Sequence, residues 1–334
     1  MSASSFAYKQ AKYRYVRNYA DGKWSKGRLS EDARLVLNES ACVFQYAQAC
    51  FEGLKAYRNK EGRILTFRPD LNAQRMKDSC ERMVMPIIPV DEFIEAVDET
   101  VLANEEILPD CADGSSLYIR PFMIGSSPTL GVGPSEEFEF RIFVSPVGAY
   151  FAKETKSLSL KISDFDRAAP KGTGQIKAGI NYGMSLYPLM IAHEEGYDEN
   201  LYLDPQNHNY VEETGGANIF FVDEYERIIV PKSDSILPSI TRRSLIELSR
   251  DFLGYEVIER KVSISEISSF KECGLCGTAA VIAPVGSIDD HGKVCIFDTS
   301  EDHYGKTCKK IRETLIKIQH GEMKGPDGWV HVIR

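Results

Sequence analysis

Apolar residues recur at two different periods along this chain, and the switching between them confines it to a mixed α/β architecture. Phe138, Phe140, Ile142 and Val144 alternate at the period of a strand with one buried face. Tyr304, Cys308, Ile311, Leu315 and Ile318 recur at three and four, which is one face of a helix. The same reading predicts strands at 41–47, 53–58, 116–124, 199–203, 217–223 and 227–230. It predicts a helix capped by Asp70 and running to about Val84, and another capped by Asp91 with Phe93, Val97 and Val101 turned inward. Further helices are predicted from Tyr182 to His193, ended by Gly196, and from Thr241 to Leu253, ended by Gly254. A chain of 334 residues is long enough for two cores. The polar stretch Ala152–Ser157 suggests the division: an α/β domain over 1–150, a linker over 151–162 and a larger domain over 163–334.

Composition removes several classes of function. A net charge of −9, from 40 basic and 49 acidic residues, argues against a nucleic-acid surface. No apolar run reaches membrane-spanning length. The first twenty residues lack the apolar core of a secretory signal, and eight cysteines in such a chain read as reduced thiols in a cytoplasm. Cys273-Gly-Leu-Cys276 is a single C-x-x-C without a second cysteine pair or spaced histidines, so it is read as two buried small residues and no metal is expected.

Chemistry concentrates around Lys177. It lies in Gly172-Thr-Gly-Gln-Ile-Lys-Ala-Gly-Ile-Asn-Tyr-Gly183, where four glycines surround one amine. Glycines let backbone approach a ligand closely. A phosphate-cradling P-loop would need Lys followed by Ser or Thr after Gly, and Lys177 stands between Ile176 and Ala178, so that reading fails. Glu212-Glu-Thr-Gly-Gly-Ala-Asn218 places a carboxylate at the start of an apolar strand. Leu237-Pro-Ser-Ile-Thr-Arg-Arg243 and Cys276-Gly-Thr-Ala-Ala280 are turns able to offer N–H groups to an anion. An amine, a ring-nitrogen carboxylate, a phenol at Tyr182 and two phosphate-gripping turns are what pyridoxal 5′-phosphate asks of a protein.

These segments, with Phe51-Glu-Gly-Leu-Lys-Ala-Tyr57, Phe67-Arg-Pro-Asp-Leu-Asn72, Arg75-Met76, Leu117-Tyr-Ile-Arg-Pro121 and Pro146-Val-Gly-Ala-Tyr-Phe151, occur in the order found in one family. The chain resembles the branched-chain amino acid aminotransferases, pyridoxal-phosphate enzymes of fold type IV, from about Tyr19 to about Lys324. The resemblance implies a smaller N-terminal α/β domain and a larger C-terminal pseudo-barrel. It implies transfer of the amino group of L-leucine, L-isoleucine or L-valine to 2-oxoglutarate.

Residue by residue, the resemblance implies Lys177 as the Schiff-base lysine and proton carrier, Glu213 rather than Glu212 at the ring nitrogen, and Tyr182 at the ring oxygen. Arg75, Ile240, Thr241 and Thr278 would hold the phosphate. Tyr46, Phe51, Tyr150 and Val147 would wall the substrate side chain, Tyr118 and Arg120 would meet the second carboxylate of glutamate, and Gly216 and Ala279 would hold the α-carboxylate. Gly216 stands where relatives carry threonine. Asn218 and Arg167 would act behind these. Ser127-Pro-Thr-Leu-Gly-Val132 resembles a loop given to a partner subunit, which implies a homodimer. Relatives with a redox C-x-x-C carry it where this chain has Ala280 and Ala283. Two other readings are weighed: a D-amino acid aminotransferase or aminodeoxychorismate lyase of the same fold, and a non-enzymatic vitamin-binding protein, against which intact Lys177 and Glu213 argue.

Overall fold

The computed structural model describes residues 7–110, 114–148, 156–299 and 303–334. The chain divides into two compact units, one made of Met1–Tyr150, Ile176–Ile180 and Ile318–Arg334, the other of Phe151–Gln175 and Asn181–Lys317. Two stretches of 163–334 thus belong with the first unit. The strand Val330–Val332 pairs antiparallel with Ile64–Phe67, and Ala178 bridges Cys50.

In the first unit the described strands pair antiparallel with their neighbours. The strands run in the order Val330–Val332, Ile64–Phe67, Leu54–Arg58, Ser116–Gly125, Phe138–Val147, Arg14–Ala20, Lys23–Trp24, with Arg28–Ser30 beside Arg14–Ala20 and Ala49–Phe51 beside Ser116–Gly125. Leu117, Ile119 and Met123 share a core with Phe140, Ile142 and Val144, and the helices Pro69–Arg82 and Val90–Ala103 add Met76, Cys80, Phe93, Val97 and Val101 to it. Burying a ring such as Phe93 or Phe140 contributes about 1.5–3 kcal/mol. Because side chains alternate across a strand, Tyr118 and Arg120 point to the face opposite the core that Leu117 and Ile119 enter.

In the second unit six strands close into a barrel: Leu158–Ile162, Glu199–Leu203, Val211–Thr214, Asn218–Val222, Glu272–Gly277 and Val281–Asp290. The pairing of Glu213 with Asn218 shuts the ring. Leu158–Ile162 pairs parallel with both its neighbours, and the other barrel pairings are antiparallel.

Several expectations need correction. Residues 41–47 hold the single-turn helix Cys42–Tyr46, ended by Ala47 at φ 51°; five residues are too few for a period to declare itself. Residues 158–162, read as linker, are a barrel strand whose Leu158, Leu160 and Ile162 alternate with polar residues. Neither Asp70 nor Asp91 caps its helix. Pro69 at the first helical position and the Arg68 backbone at φ 48° start one, Pro89 precedes the other, and both carboxylates sit in first turns beside the positive helix end. The helix expected over Tyr182–His193 is two, Gly179–Gly183 and Leu186–Glu194. The one over Thr241–Leu253 is α-helical over Ile240–Glu247, widens to a π-turn at Leu248–Phe252 and stops at Gly254, φ 76°.

Candidate active site

In the first unit the backbone on both sides of Lys177 is clamped. Phe51 N–H donates to the Lys177 carbonyl at 3.0 Å, and Lys177 N–H donates to Ser79 Oγ at 3.1 Å. Ser79 sits one helical turn beyond Arg75 and donates to its carbonyl at 2.9 Å. The lysine's Nζ lies 4.9 Å from the centre of the Phe51 ring, and the Arg120 guanidinium lies 4.8 Å from the same centre. Arg120 Nη2 donates to the Tyr118 hydroxyl at 3.2 Å, while its Nε is buried without a hydrogen-bond partner. Amine, aromatic wall and guanidinium are therefore gathered around one ring.

Arg75 is buried and grips Glu52. Glu52 stands in the quoted Phe51-Glu-Gly segment, but nothing in the spacing says that its carboxylate turns inward, so its role escapes sequence reasoning. Gly53 lies close against Tyr118, since a Cβ there would lie 2.2 Å from the Tyr118 hydroxyl. Tyr46 donates its hydroxyl to the carbonyl of Leu130, tying the helix Cys42–Tyr46 to the segment Ser127–Val132. Val147 ends its strand buried, and Tyr150 lies outside the described residues.

In the second unit Glu213 is 3% exposed and richly held. Arg167 Nη2 is 2.8 Å from Oε1, Leu237 N–H donates to Oε1 at 2.8 Å, and Asn218 Nδ2 donates to Oε2. Glu212 faces other partners, accepting from the hydroxyls of Ser233 and Ser235. Ile240 and Thr241 open a helix capped by Ser239, whose Oγ accepts from Arg242 N–H. Thr278 and Ala279 form the turn after Glu272–Gly277. A Cβ on Gly277 would lie 3.8 Å from the Gly216 carbonyl, so this turn neighbours the turn that carries Gly216. A Cβ on Gly216 would meet nothing within 4 Å, so a threonine would fit there. Tyr182 is half-buried in the helix Gly179–Gly183. Cys273 and Cys276 are buried free thiols in the strand Glu272–Gly277, and burial pushes Cys276 up to about 12.

The model of the amino-transferase class IV family matches residues 49–288. The chain belongs to the class IV aminotransferases. A branched-chain-amino-acid aminotransferase of Haemophilus influenzae is 44% identical over 330 residues, 97% of this chain and 96% of that protein. The solved branched-chain amino acid aminotransferase of Escherichia coli is 28% identical, with TM-score 0.80, over 97% of this chain and all of that one. The branched-chain amino acid aminotransferase of Thermobaculum terrenum, 27% identical with TM-score 0.79 over 97% and 99% of the two chains, has been solved in its PLP form. This chain is a class IV aminotransferase of fold type IV, and the class uses pyridoxal phosphate.

Proposed function

We propose that this protein moves the amino group of L-leucine, L-isoleucine or L-valine to 2-oxoglutarate, reversibly, with pyridoxal phosphate as its cofactor. The observation that carries the reading is the grouping of Lys177, Tyr118 and Arg120 about Phe51. One substrate of this reaction ends in a branched alkyl group and the other in a carboxylate, and an aromatic face beside a guanidinium suits both.

The donor chemistry fits the cofactor: Lys177 for its aldehyde, Arg75, Thr278 and the N–H groups at Ile240 and Thr241 for its phosphate, Glu213 for its ring nitrogen and Tyr182 for its ring oxygen. When bound, pyridoxal phosphate supplies an electron sink for the charge left at the substrate α-carbon as its proton departs. The Lys177 amine takes that proton and returns it. Gly216 and Ala279 hold the α-carboxylate through backbone N–H groups. Tyr46, Phe51 and Tyr150 wall the side chain, and Tyr118 and Arg120 bind the distal carboxylate when glutamate is the substrate.

The working form is a homodimer. Leu130 and Val132, each 91% exposed, and Phe44, at 62%, make an apolar group around the Ser127–Val132 segment that a second copy would cover. No described helix is long and apolar enough to cross a membrane. With the free thiols, this supports a cytoplasmic enzyme. A panel of L- and D-amino acids assayed with 2-oxoglutarate tests the reading. Turnover confined to L-leucine, L-isoleucine, L-valine and L-glutamate is expected, and turnover of D-alanine in preference to these would replace it with the D-amino acid reading.

A further inference from the structure

Arg167 is an unusual neighbour for Glu213. Both side chains are buried, at 5% and 3% exposure, and Arg167 is locked in place by more than the carboxylate. Its Nη2 also donates to the carbonyl of Gly174 at 3.1 Å and to that of Ser235. The Ser235 hydroxyl is anchored on Glu212. A Cβ on Gly174 would stand 2.3 Å from the Ser235 carbonyl oxygen and 2.9 Å from Arg167 Nη2, so glycine here lets the backbone pass close to the carbonyl and the guanidinium that it holds. One glycine of the Lys177 window therefore serves Arg167. The arginine's Nε is buried with no hydrogen-bond partner, a cost to folding, and a buried ion pair is a poor device for stability. The arrangement points to function.

A proton shared between a carboxylate and a pyridine nitrogen goes to whichever group is the stronger base where it sits. Burial favours a neutral carboxyl, which would leave the ring nitrogen unprotonated and a weak electron sink. A guanidinium stays charged at any working pH, and in contact with the carboxylate it opposes that transfer. Leu237 N–H and the Asn218 amide add two more donors that favour the ionised form. We propose that Arg167 is a positioning residue that keeps Glu213 ionised, so that the proton between Glu213 and the cofactor's ring nitrogen resides on the nitrogen. The inference rests on the reading of Glu213 as the ring-nitrogen partner.

The test uses holoenzyme reconstituted with pyridoxal phosphate carrying ¹⁵N in the ring, whose protonated and neutral forms resonate far apart. The native protein is expected at the protonated position and Glu213→Gln at the neutral one. Arg167→Gln, which keeps donors for the Gly174 and Ser235 carbonyls but loses the charge, is expected to move most of the signal to neutral and to slow the half-reaction with L-leucine by about a hundredfold. Arg167→Lys should hold most of the signal at the protonated position. Should Arg167→Gln fail to fold, Gly174→Ala, which displaces the guanidinium without removing it, is expected to shift the signal in the same direction. A slower reaction with the resonance unmoved in these variants overturns the proposal, because a merely structural arginine behaves that way. A native signal at the neutral position, unchanged in Glu213→Gln, overturns the reading of Glu213 as well.

Discussion

Arg75 meets Glu52 fork to fork, with Nε 2.7 Å from Oε1 and Nη2 2.8 Å from Oε2, and Asn72 Nδ2 adds a third donor to Oε2 at 2.8 Å. The Glu52 side chain has no exposed surface. The residue proposed for the phosphate is thus aimed by a carboxylate one step along the chain from Phe51.

Removing one member of this pair strands the other charge in the protein interior. Glu52→Ala is expected to destabilise by about 3–5 kcal/mol. The double variant Glu52→Ala, Arg75→Met should lose less than the sum of the two single changes. Urea denaturation of the four proteins measures this, and additive losses would show that the pair is not coupled.

Arg120→Met should separate the two substrates. Loss of kcat/KM for glutamate is expected to correspond to roughly 2–5 kcal/mol, with the aliphatic donors less affected. Equal losses for leucine and glutamate in stopped-flow half-reactions, with a lower melting temperature, would mean that Arg120 only braces the sheet.

Gly53→Ala sets a methyl group against the Tyr118 hydroxyl and should push the phenol away from Arg120. Glutamate turnover is expected to fall by about ten- to a hundredfold, the worth of a hydrogen bond to a charged group. Adding Tyr118→Phe removes the atom that clashes first, so it should recover part of the lost stability without recovering glutamate turnover. A double variant no more stable than Gly53→Ala alone would rule out this steric account.

Burial raises Glu199, which accepts a hydrogen bond from Asn200 N–H at 2.9 Å. A carboxyl raised in the folded state costs stability at pH values above its unfolded range, and the cost disappears as pH falls below the raised value. Glu199→Gln should therefore raise the melting temperature at pH 7 to 8 and lose that advantage towards pH 4. A gain independent of pH would show that desolvation of the charge is not its source.

The long periodic stretches were legible: the alternation at Phe138–Val144 and the stripe from Tyr304 to Ile318 are both buried in the structure. The barrel was not. Leu158–Ile162 is five residues long and Val211–Thr214 four, and ring closure depends on Glu213 pairing with Asn218, a fact of tertiary contact that no local period carries. The candidate site divides the same way. Lys177, Glu213, Tyr118 and Arg120 announce themselves by residue type in a recognisable setting, whereas Glu52 and Gly174 matter through what they touch. The glycines around Lys177 suggest close approach to a ligand, and in the structure Gly174 lies close to the Ser235 carbonyl and the Arg167 guanidinium.

Pairing of Val330–Val332 with Ile64–Phe67 also sets a timetable. On the ribosome the first unit's sheet emerges with one edge unclaimed, and it stays so while almost the whole of the second unit is made. Ile64 N–H and Arg68 N–H wait for the carbonyls of Arg334 and Trp329. An uncovered strand edge is where a nascent chain joins the wrong neighbour, so Val330–Val332, made after the second unit, is the strand that ends this edge's exposure to misassembly.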